Sequence, residues 1–350
     1  MAESAPATGL ASLPAGTATG VGGWPGTDVA EALRVVRGEL PDLPHLPELP
    51  DRGPGADLVG RAAARLVGLP VDLQPAGWRL VDRPGRDQAR ADAFWREDLD
   101  RMAYAFDGYA GPLKIQLAGP WTLAASVWLP RGERALADPG AARDLVESSA
   151  EALTALVQEV ARLVPGAHVV AQVDEPSLPA VLDGRVPTAS GLGRLRAVEP
   201  SVVEQGLAAV LAAATAAGAT PVLHSCAPRT PVGLLARTGT AALSLDTSLL
   251  GAAEWESVAA AVEDGVALWA GAVPTSVPAS APTQQPLPSA ADVSARLARS
   301  WLDVGLPPAR LADVVLTPAC GLSGHSPAEA RALLARAVEA GRAVAERSAA

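Results

Sequence analysis

The chemistry available to this chain begins with two cysteines and a histidine. Cys226 closes the stretch Pro221-Val-Leu-His-Ser-Cys226, and Cys320 lies in Thr317-Pro-Ala-Cys-Gly321. Each follows a short apolar run, so each thiol stands where a strand gives way to a loop. His224 precedes Cys226 by two residues, close enough for both side chains to reach one ion from one strand end. Asp246 ends a further apolar run, Ala242-Leu-Ser-Leu-Asp246. Two thiolates, an imidazole and a carboxylate suit Zn²⁺. An ordinary reading stands beside this one. A buried cysteine is usually a small apolar residue, and a lone histidine is usually a hydrogen-bonded one.

A second group is Asp174-Glu175-Pro176, at the end of an apolar run starting at His168. Such a carboxylate pair can cap a helix or bind a substrate ammonium. Trp121 and Trp128 flank the loop after the run 112–117. Tryptophan there either packs or offers a stacking face to a flat ligand. Near the N-terminus, Gly20, Gly22 and Gly23 precede Trp24-Pro25. Their lack of side chains suggests that backbone there comes close to something.

The elements that must position these groups alternate. Short strands are predicted near residues 19, 71, 113, 168, 220, 242, 266 and 313. Helices are predicted over about 28–36, 56–67, 87–106, 138–163, 201–217, a stretch ending near 304, and 327–346. The last opens on Ser326 as N-cap, Pro327 at the first helical position and Glu329 completing a capping box. Apolar strands alternating with helices imply a parallel sheet covered on both faces. Eight such units imply an α/β fold of one (β/α)8 TIM barrel, whose sites gather at the C-terminal strand ends. His224, Cys226, Asp246 and Cys320 would then share one rim. The Pro-rich stretch 40–55 reads as an extended excursion, 277–289 as a long polar loop and 1–18 as a disordered tail. A single domain over 19–350 is expected.

Composition narrows the partners. The chain has 350 residues, 49% of them apolar, and a formal charge of −10. Lys114 is the only lysine, and no basic cluster appears. A nucleic-acid or anionic-membrane partner is not expected, and small-molecule substrates are. Two cysteines make no disulfide framework. The N-terminus lacks the basic and apolar regions of a signal peptide, and the uncharged run 206–225 is alanine-rich, not a membrane span. A soluble cytoplasmic protein is the expectation.

Taken in order, Gly20-Val-Gly-Gly-Trp-Pro25, Gly119-Pro-Trp-Thr122, Gln172-Val-Asp-Glu-Pro176, His224-Ser-Cys226, Ser244-Leu-Asp-Thr-Ser248 and Pro318-Ala-Cys-Gly-Leu322 resemble the catalytic barrel of cobalamin-independent methionine synthases. The resemblance covers roughly residues 19 to 345. It implies zinc-dependent methyl transfer from methyltetrahydrofolate to the thiol of homocysteine, giving methionine. It further implies His224, Cys226 and Cys320 as zinc ligands and Asp246 in place of a ligating Glu. Asp174 would grip the substrate amino group, and Trp128 would stack on the pterin. Gly23, where the family has Ser, and Trp121 belong to the expected substrate site.

The departures are as informative. The acidic residue that the family carries after its second strand is not found in Gln74-Pro-Ala-Gly77. The histidine after the seventh is replaced by Gly271-Ala-Val-Pro274, and His325 reads as a solvated or capping histidine. The N-terminal barrel of the full-length enzymes is not expected here. Two other classes compete: a barrel that binds zinc or a thiol without turnover, and a metal-free enzyme like uroporphyrinogen decarboxylase.

Overall fold

A computed structural model describes residues 13–275 and 287–349. Residues 1–12 of the expected tail and most of the expected loop 277–289 lie outside the described residues.

Six parallel strands form a curled sheet in sequential order. They are β3 (Gly111–Ala118), β4 (Ala167–Asp174), β5 (Thr220–Ser225), β6 (Ala242–Asp246), β7 (Ala267–Val273) and β8 (Val315–Pro318). Two extended segments complete the barrel through sparse pairing. Ala18 bridges Leu316 of β8 in parallel, Gly23 bridges Glu48, and His45 bridges Lys114 of β3. Segment 17–23 is thus the first stave and 44–48 the second. The second cannot form a full ladder, because Pro44 and Pro47 have no N–H to donate. It makes the two bonds left to it with β3, Leu46 N to Lys114 O (2.9 Å) and Lys114 N to Pro44 O (2.9 Å).

This corrects two expectations. The stretch 40–55 is no excursion: its middle is a barrel stave, with Leu43, Leu46 and Leu49 buried. The strand at residue 71 is real but lies off the barrel. There β1 (Val71–Gln74) pairs antiparallel with β2 (Gly77–Leu80) as a separate hairpin. Alternation of apolar residues gave the strand but not its partner.

Helices coat the outside. α1 (Val29–Glu39) joins the first two staves, and α2 (Leu58–Arg65), the hairpin and α3 (Arg86–Ala105) lead to β3. After β3 come α4 (Pro120–Ser126) and α5 (Pro139–Leu163). After β4 come α6 (Leu178–Leu182) and α7 (Pro200–Ala216). α8 (Val232–Ala236), α9 (Ala252–Glu263), α10 (Ala290–Asp303) and α11 (Pro327–Ser348) follow β5, β6, β7 and β8. Local chemistry sets their ends. Asp138 accepts from Gly140 and Ala141 N to start α5. Ser326 and Glu329 form the expected capping box on α11, with Pro327 at its first turn.

Period-two alternation sorts the barrel interior into layers. Leu43, Val170, Val222, Ala242, Trp269 and Val315 form an apolar floor. Above it on the same inward faces stand Lys114, Gln116, Gln172, His224, Ser244 and Thr317, all buried. One step further along β4, β5 and β6 come Asp174, Cys226 and Asp246. The polar groups therefore collect at the C-terminal rim. Among the described residues, no helix is long and apolar enough to cross a membrane.

Candidate metal centre

His224 is the register partner of Asp174 on β4 and of Ser244 on β6. Its Nδ1 lies 3.0 Å from Ser244 Oγ. Its Nε2 is buried and has no hydrogen-bond partner among the described residues. Cys226 follows the end of β5, and Cys320 follows β8 by two residues. Their sulfurs, 94 residues apart in sequence, are 2.7 Å apart. Ligand atoms of His224, Cys226 and Cys320 all lie within 4.8 Å of one another.

This donor set fits zinc. A buried ring nitrogen left without a partner is costly, and here it stands beside two sulfurs while the other nitrogen is fixed by a hydroxyl. That is how histidine ligands are usually oriented. The sulfur separation exceeds the ~2.05 Å of a disulfide. Two sulfurs on one tetrahedral zinc stand roughly 3.8 Å apart, so this pair would have to open by about 1 Å to hold one. The Cys226 hydrogen bond, with help from His224, pulls the Cys320 thiol below its usual range. Cys226 is pushed up by its hydrogen bond to that sulfur and by burial.

Asp246 stands outside the three-residue group. Its Oδ1 accepts from Ser248 N (2.9 Å) and Ser248 Oγ (2.6 Å), capping the short 3-10 turn Thr247–Leu249. Its carboxyl is raised above the usual range, first by burial and then by the charge of Cys320. It therefore feels the cysteine pair electrostatically while bonded elsewhere.

Two carboxylates line the same end of the barrel. Asp174 is buried, and Gln172 Nε2 donates to its Oδ1 (2.7 Å). Burial raises its pKa to about 6, against the opposing pull of His224 and Lys114. Glu48 ends the second stave, and burial raises it to about 7, with Arg61 opposing. Arg61 Nε lies 3.7 Å from its carboxylate. An acidic residue does end the second stave, Glu48, hidden because the stave had been placed at residue 71. An acidic residue after three Leu-Pro pairs was its signal in the sequence.

Glu175, the neighbour of Asp174, has a different place. It accepts from Trp121 N (3.0 Å), Thr122 N (2.8 Å) and Thr122 Oγ1 (2.7 Å), which caps α4 from another strand. Gly119 makes room for it: a Cβ there would fall 2.3 Å from Glu175 Oε1. The glycines of the first stave have the same reason. A Cβ on Gly20 would strike the His45 ring, and one on Gly22 the Gln116 side chain.

The tryptophans are less centrally placed. The Trp121 ring sits in the helical layer, donating to Val203 O (3.3 Å) and lying against Gly206 of α7. Trp128 donates to Ala76 O (2.8 Å) in the hairpin turn, with Arg134 4.5 Å and Arg79 5.7 Å from its ring centre. Gly23 accepts from Leu322 N (2.8 Å). A Cβ on Gly23 would lie 3.5 Å from Ser323 Oγ, so a hydroxyl stands near the position where the resemblance asks for Ser.

The pattern that describes the catalytic domain of cobalamin-independent synthases matches residues 114–343. The chain belongs to that family. The match runs from the middle of β3 through most of α11, and so includes His224, Cys226 and Cys320. A B12-independent methionine synthase from Shewanella sp. W3-18-1, in complex with selenomethionine, is similar at 15% identity and a TM-score of 0.48. The similarity covers 71% of this chain and 66% of that one. An oxaloacetate acetylhydrolase bound to oxalate is similar at 11% identity and a TM-score of 0.37, over 87% of this chain and 76% of that one. A search of curated protein sequences returned no match. Family membership rests on the catalytic-domain pattern alone.

Proposed function

We propose that this chain is a thiol S-methyltransferase that carries a methyl group from a donor such as methyltetrahydrofolate to homocysteine, giving methionine. The observation that supports this most is the convergence of His224, Cys226 and Cys320 at one rim, beside two buried carboxylates. His224 Nε2 and the two cysteine sulfurs would hold the ion, and Asp246 would serve as a fourth ligand on leaving Ser248. Zinc, when bound, supplies the positive charge that ionises an incoming thiol near neutral pH.

The chain's own residues do the rest. Two cysteinates and an aspartate keep the ligand set electron-rich, which preserves the nucleophilicity of the acceptor sulfur. Asp174 and Glu48 receive the acceptor's ammonium, and so aim its sulfur toward the rim. Gly23 and its neighbour Ser323 border the acceptor's other end. Trp121, through its backbone bond to Glu175, keeps the loop after β3 in place. Trp128, tied to the hairpin through Ala76, forms the donor-side wall.

The test is methyl transfer by zinc-loaded protein, with homocysteine and either methyltetrahydrofolate or a methylated corrinoid as donor, read by mass spectrometry of methionine. Methionine formation supports the proposal, and the productive donor names the second substrate. Stoichiometric zinc with no transfer from any donor would favour a barrel that binds thiols without turnover.

A further inference from the structure

The only lysine of the chain is buried at the centre of the barrel, fully out of solvent. Burying an ammonium is costly unless every proton finds a partner. Lys114 Nζ donates to Val21 O (2.8 Å), Gln172 Oε1 (2.9 Å) and Gln116 Oε1 (3.2 Å). All three protons are therefore used.

Each partner passes the constraint on. With its oxygen held by Lys114, the Gln172 amide must present its nitrogen the other way. That nitrogen donates to Asp174 Oδ1 (2.7 Å) and to Val21 O (2.9 Å). By the same logic Gln116 Nε2 donates to Leu46 O (2.7 Å), two residues before Glu48. Val21 lies in the first stave and Leu46 in the second, the two staves with only isolated bridges to hold them. One ammonium thus orients Asp174 and anchors both loosely paired staves, including the one that ends in Glu48.

We infer that Lys114 is the positioning residue for amino-group recognition: it sets Gln172 and Gln116, and through them the Asp174 and Glu48 carboxylates that take the acceptor's ammonium. This rests on the acceptor reading above. Lys114 touches none of His224, Cys226 or Cys320, whose strands are held by the continuous ladder from β5 to β8. Its loss should therefore spare the metal and damage selectivity.

The experiment compares calorimetric binding of homocysteine and of 4-mercaptobutanoate, the same thiol without its amino group, to zinc-loaded protein. Wild type is expected to favour homocysteine. In Lys114→Met that preference should fall at least tenfold, with zinc still one per chain and 4-mercaptobutanoate bound within about twofold of wild type. Gln172→Met, which keeps the lysine but cuts its link to Asp174, should show the same loss. A purely structural lysine would weaken both thiols together. Preference surviving in either variant overturns the inference alone. Absence of preference in wild type overturns the amino-thiol assignment and this inference with it. If neither variant folds, Lys114 is a folding determinant and the positioning role is wrong.

Discussion

Cys226 and Cys320 reach one point from the ends of two different strands, and His224 joins them with a buried ring nitrogen that has no hydrogen-bond partner among the described residues. With Asp246 bonded to Ser248, removing either sulfur leaves fewer than the three protein ligands that catalytic zinc sites keep. Cys226→Ala and Cys320→Ala are each expected to fall from one zinc per chain to below a tenth, with methyl transfer lost in parallel; metal analysis by mass spectrometry checks this. Retained zinc in either variant would remove that residue from the ligand set. The carboxylates allow a separate test. Burial holds Glu48 at about 7 and Asp174 at about 6, so both are ionised above neutrality and take up protons as pH falls through that range. An ammonium ligand then loses its counter-charges. Methionine, which has no thiol to ionise, should bind several-fold more weakly at pH 5.5 than at pH 8. Glu48→Gln should weaken binding at pH 8 and flatten the upper part of this dependence. Binding that is constant with pH would exclude both carboxylates from the ammonium site.

Among the elements, the loop and helix after β3 show how a functional strand end is fixed. Glu175 of the β4 end caps α4, and the Trp121 ring of α4 fills the seam against α7. Gly206 is what lets α7 approach. A Cβ there would stand 2.9 Å from Trp121 and 3.1 Å from Val146. Alanine gains roughly 1 kcal/mol in helix propensity over glycine, but the neighbours are a buried indole and a buried valine with little room to yield. Overpacking costs about 1–3 kcal/mol, so Gly206→Ala should be net destabilising by about 1 kcal/mol, seen as a lower urea midpoint at unchanged slope. A stabilised variant would show that α7 is free to move outward. The same scale separates what was legible in the sequence from what was not. β3 to β8 were readable because each is a mostly apolar run bounded by turn residues. The second stave was not, because four evenly spaced prolines look like a linker and its pairing is with β3, far along the chain. Asp246 was legible as a residue at the rim, but its bond to Ser248 is a local turn that strand patterning does not show.

For the whole molecule, a floor of apolar side chains, a buried polar middle and a cysteine-bearing rim follow from alternation on six strands, with two irregular staves closing the ring. Lys114 and Gln116 interrupt an apolar strand at a spacing of two, as do Gln172 and Asp174. That pattern marks inward polar positions and could have been read from the sequence; their mutual bonds could not, because they depend on which strands are neighbours. Glu48 and Asp174 come from staves that are not adjacent, so it is the curling of the sheet that brings them to one rim with the metal ligands. In the proposed function, His224, Cys226 and Cys320 would hold a zinc ion open to a substrate sulfur. Zinc K-edge X-ray absorption on loaded protein, before and after homocysteine, tests it most directly. Two sulfurs at ~2.3 Å and a nitrogen at ~2.0–2.1 Å are expected, rising to three sulfurs when homocysteine is added. A zinc shell without cysteine sulfur, or one that gains no sulfur from homocysteine, would contradict it.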